Sequence, residues 1–270
     1  MRTEDQRDAM SASQPATTAT SAGRRPLEQW KANTVRFTAF PTKVFEVSAR
    51  SRWRELLNED PQQSSWDRVQ QQFAESGLVG DAQLVMTMAL GRFDLLYAPP
   101  DGATLLPETG EIPTIGEAGP CLTRLCGIAK SAIRSLPELS RIAVGAIVIL
   151  PVSSRENGYA QLGAYLPAVV LDPVGSTDFG YQINRRRDST TIRELPINRV
   201  GKWSVMSTRA LSFLERGAVI GERRGYACRL ELDINTAPEN TTAIAPQALP
   251  DLIEECRGLL LEIVEKGDVP

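Results

Sequence analysis

Histidine is absent from all 270 residues of the chain. It is the commonest general base near neutral pH and the commonest metal ligand. Serine–histidine and cysteine–histidine catalysis are therefore excluded, as are histidine-containing zinc sites. Carboxylate, lysine or tyrosine chemistry remains, or a serine–lysine pair. Cysteine is scarce: the four residues at 121, 126, 228 and 256 show no CxxC spacing. Cys121 and Cys126 lie about 140° apart on one expected helix. They read as buried reduced thiols and not as a redox or metal pair. Long apolar runs are missing too. The longest, Ile142 to Val152, is too short to span a bilayer, and the first residues carry no apolar signal core. The expected location is the cytoplasm of a bacterium-like cell. Phosphate loops are also lacking, because "GERRG" has no lysine–serine ending and no GxGxxG follows an expected strand. The sequence calls for no cofactor, no metal and no catalytic residue.

What is present is an ordinary soluble composition, 42% hydrophobic and 23% charged, with a formal net charge of −3. That acidity argues against coating a nucleic acid through bulk charge. The four tryptophans, Trp30, Trp53, Trp66 and Trp203, are spread along the chain and read as core or rim packing.

Residues 1–30 are rich in Ser, Thr and Ala without apolar period and read as a disordered tail. In "TVRFTAFPTKVFEVSARSR", Val44, Phe45 and Val47 read as a strand, followed by a helix from about Ser51 carrying Trp53, Leu56 and Leu57. "AQLVMTMALGRFDLLYAPP" reads as a hairpin turning at Gly91. Leu122, Leu125, Cys126, Ala129, Ile133 and Leu136 mark one face of a helix. "RIAVGAIVILPV" has the near-unbroken apolar character of a central strand buried on both faces. A short helix in "ENGYAQLGAYLP" follows, then strands around Phe179 to Asn184, Gly201 to Thr208 and Ala227 to Asn235. A final helix is striped by Leu252, Ile253, Cys256, Leu259, Leu260 and Ile263. Residues 31–140 and 141–270 thus each run strand, helix, several strands, long helix. The expectation is an α+β fold of mainly antiparallel sheet with helices on one face, built from two related halves. The order resembles that of TATA-binding-protein-like and effector-binding folds, a likeness that carries no function.

Charge is unevenly distributed. Between Arg185 and Arg229 stand eleven basic residues and only four acids, Asp188, Glu194, Glu215 and Glu222, a local net of +7. The tripeptide Ile-Asn-Arg occurs twice there, at 183–185 and 197–199. Arginine forks suit phosphates and carboxylates, and Trp203 offers a stacking surface. The candidate binding residues are Asn184, Arg185, Arg186, Arg187, Asn198, Arg199, Lys202 and Trp203. The competing reading has the arginines on a solvated sheet face, each paired with an acid from elsewhere. If the two tripeptides lie on adjacent antiparallel strands, Asn184 and Asn198 point the same way and bracket one polar site.

In "CRLELDIN", Cys228, Leu230, Leu232 and Ile234 alternate with Arg229, Glu231, Asp233 and Asn235. Glu231 and Asp233 are the two carboxylates that a Mg²⁺-dependent phosphoesterase would use, although one wet strand face produces the same alternation.

The segments "FTAFPTKVFEVSARSR", "KWSV" and "LELDINTAP" resemble those of a sporadically distributed family of uncharacterised bacterial proteins, over most of residues 34–266. The resemblance implies a proline-containing first strand, a mid-chain tryptophan strand and a late strand followed by a C-terminal helix, and no activity. The leading expectation is a non-catalytic binding or interaction module whose basic patch engages an anionic ligand, acidic protein or nucleic acid, without membrane contact. The metal-dependent phosphoesterase and a structural subunit of a homo-oligomer are the alternatives.

Overall fold

The computed structural model describes residues 23–44, 52–100, 112–213 and 219–270; for strand residues 211–213 and 219–221 only the backbone is described. The chain folds as α+β, with eleven strands among the described residues joined in one antiparallel sheet. Its first half comprises β1 (Lys31–Pro41), α1 (Trp53–Leu57), β2 (Gln63–Asp67), β3 (Gln72–Val79), β4 (Ala82–Ala89), β5 (Arg92–Ala98), β6 (Gly116–Glu117) and α2 (Ala118–Ala132). The second comprises β7 (Leu139–Val152), α3 (Arg155–Gly163), β8 (Gly180–Asn184), β9 (Arg187–Asp188), β10 (Pro196–Phe213), β11 (Val219–Thr236) and α4 (Leu249–Lys266). The strand order is β2-β3-β4-β5-β1-β7-β11-β10-β8, with β6 beside β1 and β9 beside β10. β1 and β7 lie side by side at the centre. Each is flanked on its other side by the last long strand of its own half, β5 or β11.

Both halves therefore share one sheet, and their buried side chains form a single core cluster. The helices lie on one face. α2 covers β1, α4 packs on α2, β7 and β11, and α3 lies on β10 and β11. Burying this face requires period-two alternation in the strands. β4 obeys it strictly, and its hairpin to β5 turns at Gly91, whose φ of +70° favours glycine. β11 obeys it as expected, with Cys228, Leu230, Leu232 and Ile234 inward. β7 is buried on nearly every residue, as its apolar run predicts for a central strand.

The opening of the chain differs from expectation. Residues 24–30 are tied down at Trp30: Leu27–Gln29 form a 3-10 turn with no buried residue, and Trp30 is fully buried with its Nε1 donating to Tyr165 Oη at 3.1 Å. One tryptophan in a stretch without apolar period gives no periodic signal, but its area is enough to anchor the segment. Residues 1–22 of the expected tail lie outside the described residues. The first described strand is Lys31–Pro41; of the strand expected at Val44, Phe45 and Val47, Val44 is 72% exposed and lies outside β1, and Phe45 and Val47 lie outside the described residues. A register shift between Ala32 and Thr34 breaks the alternation that would have marked β1.

Candidate functional site

The doubled Ile-Asn-Arg sits on two neighbouring strand ends, and period two sends its members to opposite faces of the sheet. On the helix-free face Asn184 Nδ2 donates to Asn198 Oδ1 at 3.0 Å, and Asn198 Nδ2 donates to Asn235 Oδ1 at 3.1 Å. Asn184 Oδ1 accepts from the Arg199 backbone N–H at 2.9 Å. The two asparagines thus meet, forming a ladder across β8, β10 and β11 whose amide groups bond mainly to one another.

The arginines go to the helix side, where they grip the end of α4. Arg185 makes a two-pronged contact with Asp268, at 2.8 and 2.9 Å, and Tyr181 Oη donates to the same carboxylate at 2.9 Å. The Arg185 hydrogen bonds, reinforced by Tyr181, hold the Asp268 carboxyl below the usual carboxylate range. Arg187 and Arg199 share Glu262, at 2.9 and 3.1 Å, and Arg187 also donates to the Pro270 carbonyl. Arg199 is 1% exposed, and burial together with the neighbouring Arg187 lowers its pKa. A few residues away Glu255 accepts from Ser189 Oγ at 2.6 Å and from the Thr190 N–H at 2.6 Å. Burial pushes that carboxyl up, yet those donors leave it below its ordinary value. These groups fasten the β8–β10 connection to α4.

The eight candidate binding residues therefore do not share a surface. Arg185, Arg187 and Arg199 come together, but as an internal clamp. Arg186 stands apart, 3.4 Å from Glu239. Lys202 lies on the other face, 3.5 Å from Glu231. Trp203 is fully buried, stacked on Tyr165 at 5.5 Å, so it offers no surface to a ligand. Its position on the strand face that meets the helices is the reason.

At the centre of the helix-free face is a shallow cavity of about 430 Å³, lined among others by Thr34, Arg36, Lys202, Glu231 and Asp233. Arg36 of β1 crosses β7 to reach Asp233 of β11 at 3.2 Å. Gly145 permits this crossing, since a Cβ there would meet Arg36 Nε at 2.8 Å and the Leu232 carbonyl at 3.0 Å. Glu231 is bonded by Lys202 and by Arg229. The two carboxylates of the metal reading are thus already paired with cations. Among the described residues no group of three or more Cys, Asp or Glu is placed to hold a metal ion.

Sequence reasoning missed one exposed basic feature. β8 pairs with β10 only as far as Ser204, and β7 pairs with β11 only as far as Tyr226, opposite Ser207. From Thr208↔Gly225 to Phe213↔Val219 the two strands, among the described residues, pair only with each other and project from the sheet as an arm. Arg209 and Arg224 face each other across it, both 61% exposed in their side chains, with Glu222 between them at 2.9 and 2.6 Å. Arg223 is exposed as well. The only signal for the arm was the basic run itself, because residues 208–225 lack an apolar period.

No protein-family model, curated protein or solved structure matches this chain.

Proposed function

We propose that this protein is a non-catalytic interaction module that docks an acidic protein segment along the β10–β11 arm. One observation carries the reading: six residue pairs of β10 and β11, from Thr208↔Gly225 to Phe213↔Val219, extend past every neighbouring strand among the described residues. A two-stranded ribbon in water is marginal on its own, and a strand added along one of its outer edges would extend the sheet. The arm's arginines favour an acidic strand. The net charge of −3, with the positive residues gathered between 185 and 229, favours a short acidic segment over a long polyanion, which would be repelled by the rest of the body.

The platform behind the arm supports the same reading. The halves around β1 and β7 follow the same order of elements, and we take them as a tandem duplication that yields one broad, rigid sheet. A cytoplasmic location fits four free, buried cysteines. Among the described residues no helix is long and apolar enough to cross a membrane.

The test is fluorescence anisotropy with a labelled oligoglutamate peptide and, in parallel, a labelled DNA duplex. The full chain binds the peptide in a salt-dependent manner, and Arg209→Glu/Arg223→Glu/Arg224→Glu weakens it at least about tenfold, the loss expected when attracting charges become repelling ones. Equal binding by the triple variant, or tighter binding of the duplex, overturns the reading.

A further inference from the structure

β2 stands at one end of the sheet, and among the described residues it pairs with β3 alone. Edge strands are ordinarily blunted by lysine, proline, a bulge or very short length, because a bare edge recruits another strand. β2 has none of these devices. Gln63, Ser64, Ser65, Trp66 and Asp67 include one charge and no proline, they pair with β3 without a register shift, and five residues is an ordinary strand length. The hairpin turn that presents them is held by Asp67, whose Oδ1 accepts from the Val69 and Gln70 N–H groups at 2.8 and 3.0 Å. All five residues are exposed, and Trp66 keeps 40% of its surface in water although its ring leans on Phe73 at 6.3 Å. So open an indole has area to give to a neighbour.

The residues select the neighbour. Two copies of β2 laid edge to edge, antiparallel about a two-fold axis at Ser65, pair the whole strand: Gln63 with Asp67, Ser64 with Trp66, and Ser65 with its own counterpart. In that register no like charges face each other, and each carboxylate stands opposite an amide. Trp66 lies on the same face as its partner Phe73, and the axis brings the two indoles of the pair into diagonal positions about 7 Å apart, within reach of aromatic side chains. A strand of different sequence would gain the backbone bonds and lose the indole pair. The strand thus complements itself.

We propose that the outer edge of β2 is a self-association surface, on which a second copy of the chain lays its own β2 and joins the two sheets into one. β2 and the β10–β11 arm lie toward opposite ends of the strand order, so this pairing stands or falls independently of the docking function.

Sedimentation velocity of the full chain, run from about 5 to about 500 μM to bracket the affinity that so small an interface supports, tests it. The weight-average mass rises from one chain towards two across that range. Ser65→Lys sets like charges opposite each other at the axis and raises the dissociation constant about fivefold, and Ser65→Asp does the same. Mixed in equal amounts, the two variants pair with each other and regain the wild-type mass, a recovery that misfolded chains would not give. A wild-type chain that stays single throughout, a dimer that Ser65→Lys leaves intact, or a mixture that stays single overturns the proposal.

Discussion

β10 and β11 are paired from end to end, yet their two ends live in different surroundings. In the sheet, from Ile197 to Ser207 and from Tyr226 to Thr236, they lie beside β8, β9 or β7 over much of their length, with α3 and α4 packed on one face. From Thr208 to Phe213 and from Val219 to Gly225 they pair with no further strand among the described residues. Arginine does different work in the two regions. Arg199, at the sheet end, is buried and bonded to Glu262, so its charge is spent inside the molecule. Arg209 and Arg224, on the arm, share one exposed acid and keep most of their surface in water. A local charge count cannot distinguish these cases, since both raise the same sum; the reach of the neighbouring strands decides which arginines can meet a partner.

The contrast breaks most visibly at Glu262. Glu262→Gln leaves Arg199 buried beside Arg187 without its counter-charge, and the expected loss is about 3 kcal/mol of stability, measured by urea denaturation. A loss below about 1 kcal/mol would mean that Arg199 is not a structural charge. Next in size is Gly145→Val, at about 2 kcal/mol, because the added side chain collides with Arg36 and with the Leu232 carbonyl. The same denaturation curves read it.

Acid titration sharpens the comparison further. The pKa of Asp268 is depressed below its ordinary 3.8, chiefly by Arg185. Between the folded and unfolded values the unfolded chain binds more protons, so stability rises with pH through that window. The contribution is complete above pH 3.8 and is lost as pH falls through the folded value. Arg185→Ala flattens that part of the pH–stability curve. The arm variant Arg209→Glu/Arg223→Glu/Arg224→Glu alters binding and leaves the acid limb of that curve in place. The smallest effect concerns the thiols. Burial pushes Cys126 and Cys228 up to about 12 and raises Cys121 and Cys256 as well. Maleimide labelling of the native protein should therefore be negligible over minutes and complete in denaturant.

The long periodic elements were legible in the sequence because burial writes itself as a period. α2, α4, β7 and the alternation in β11 follow the apolar positions that mark them. So does the meeting of Asn184 with Asn198, which follows from pairing two strands in antiparallel register. β1 escaped detection because an irregularity beside Asn33 interrupts its alternation. The clamp escaped because its acids, Glu262 and Asp268, lie more than sixty residues from their arginines, and a run of arginines names no partner. Arg36 and Asp233 illustrate the same difficulty across the whole sheet: only the glycine at 145 hinted that something lies across β7.

Native-state amide hydrogen exchange along β10 and β11 tests the central claim most directly. The account predicts amides at Arg199 to Trp203 and Cys228 to Ile234 protected by orders of magnitude more than those at Thr208 to Phe213 and Val219 to Gly225, with the arm gaining protection when oligoglutamate is added. Uniform protection along both strands in the free protein, or an arm unchanged by the peptide, would contradict it.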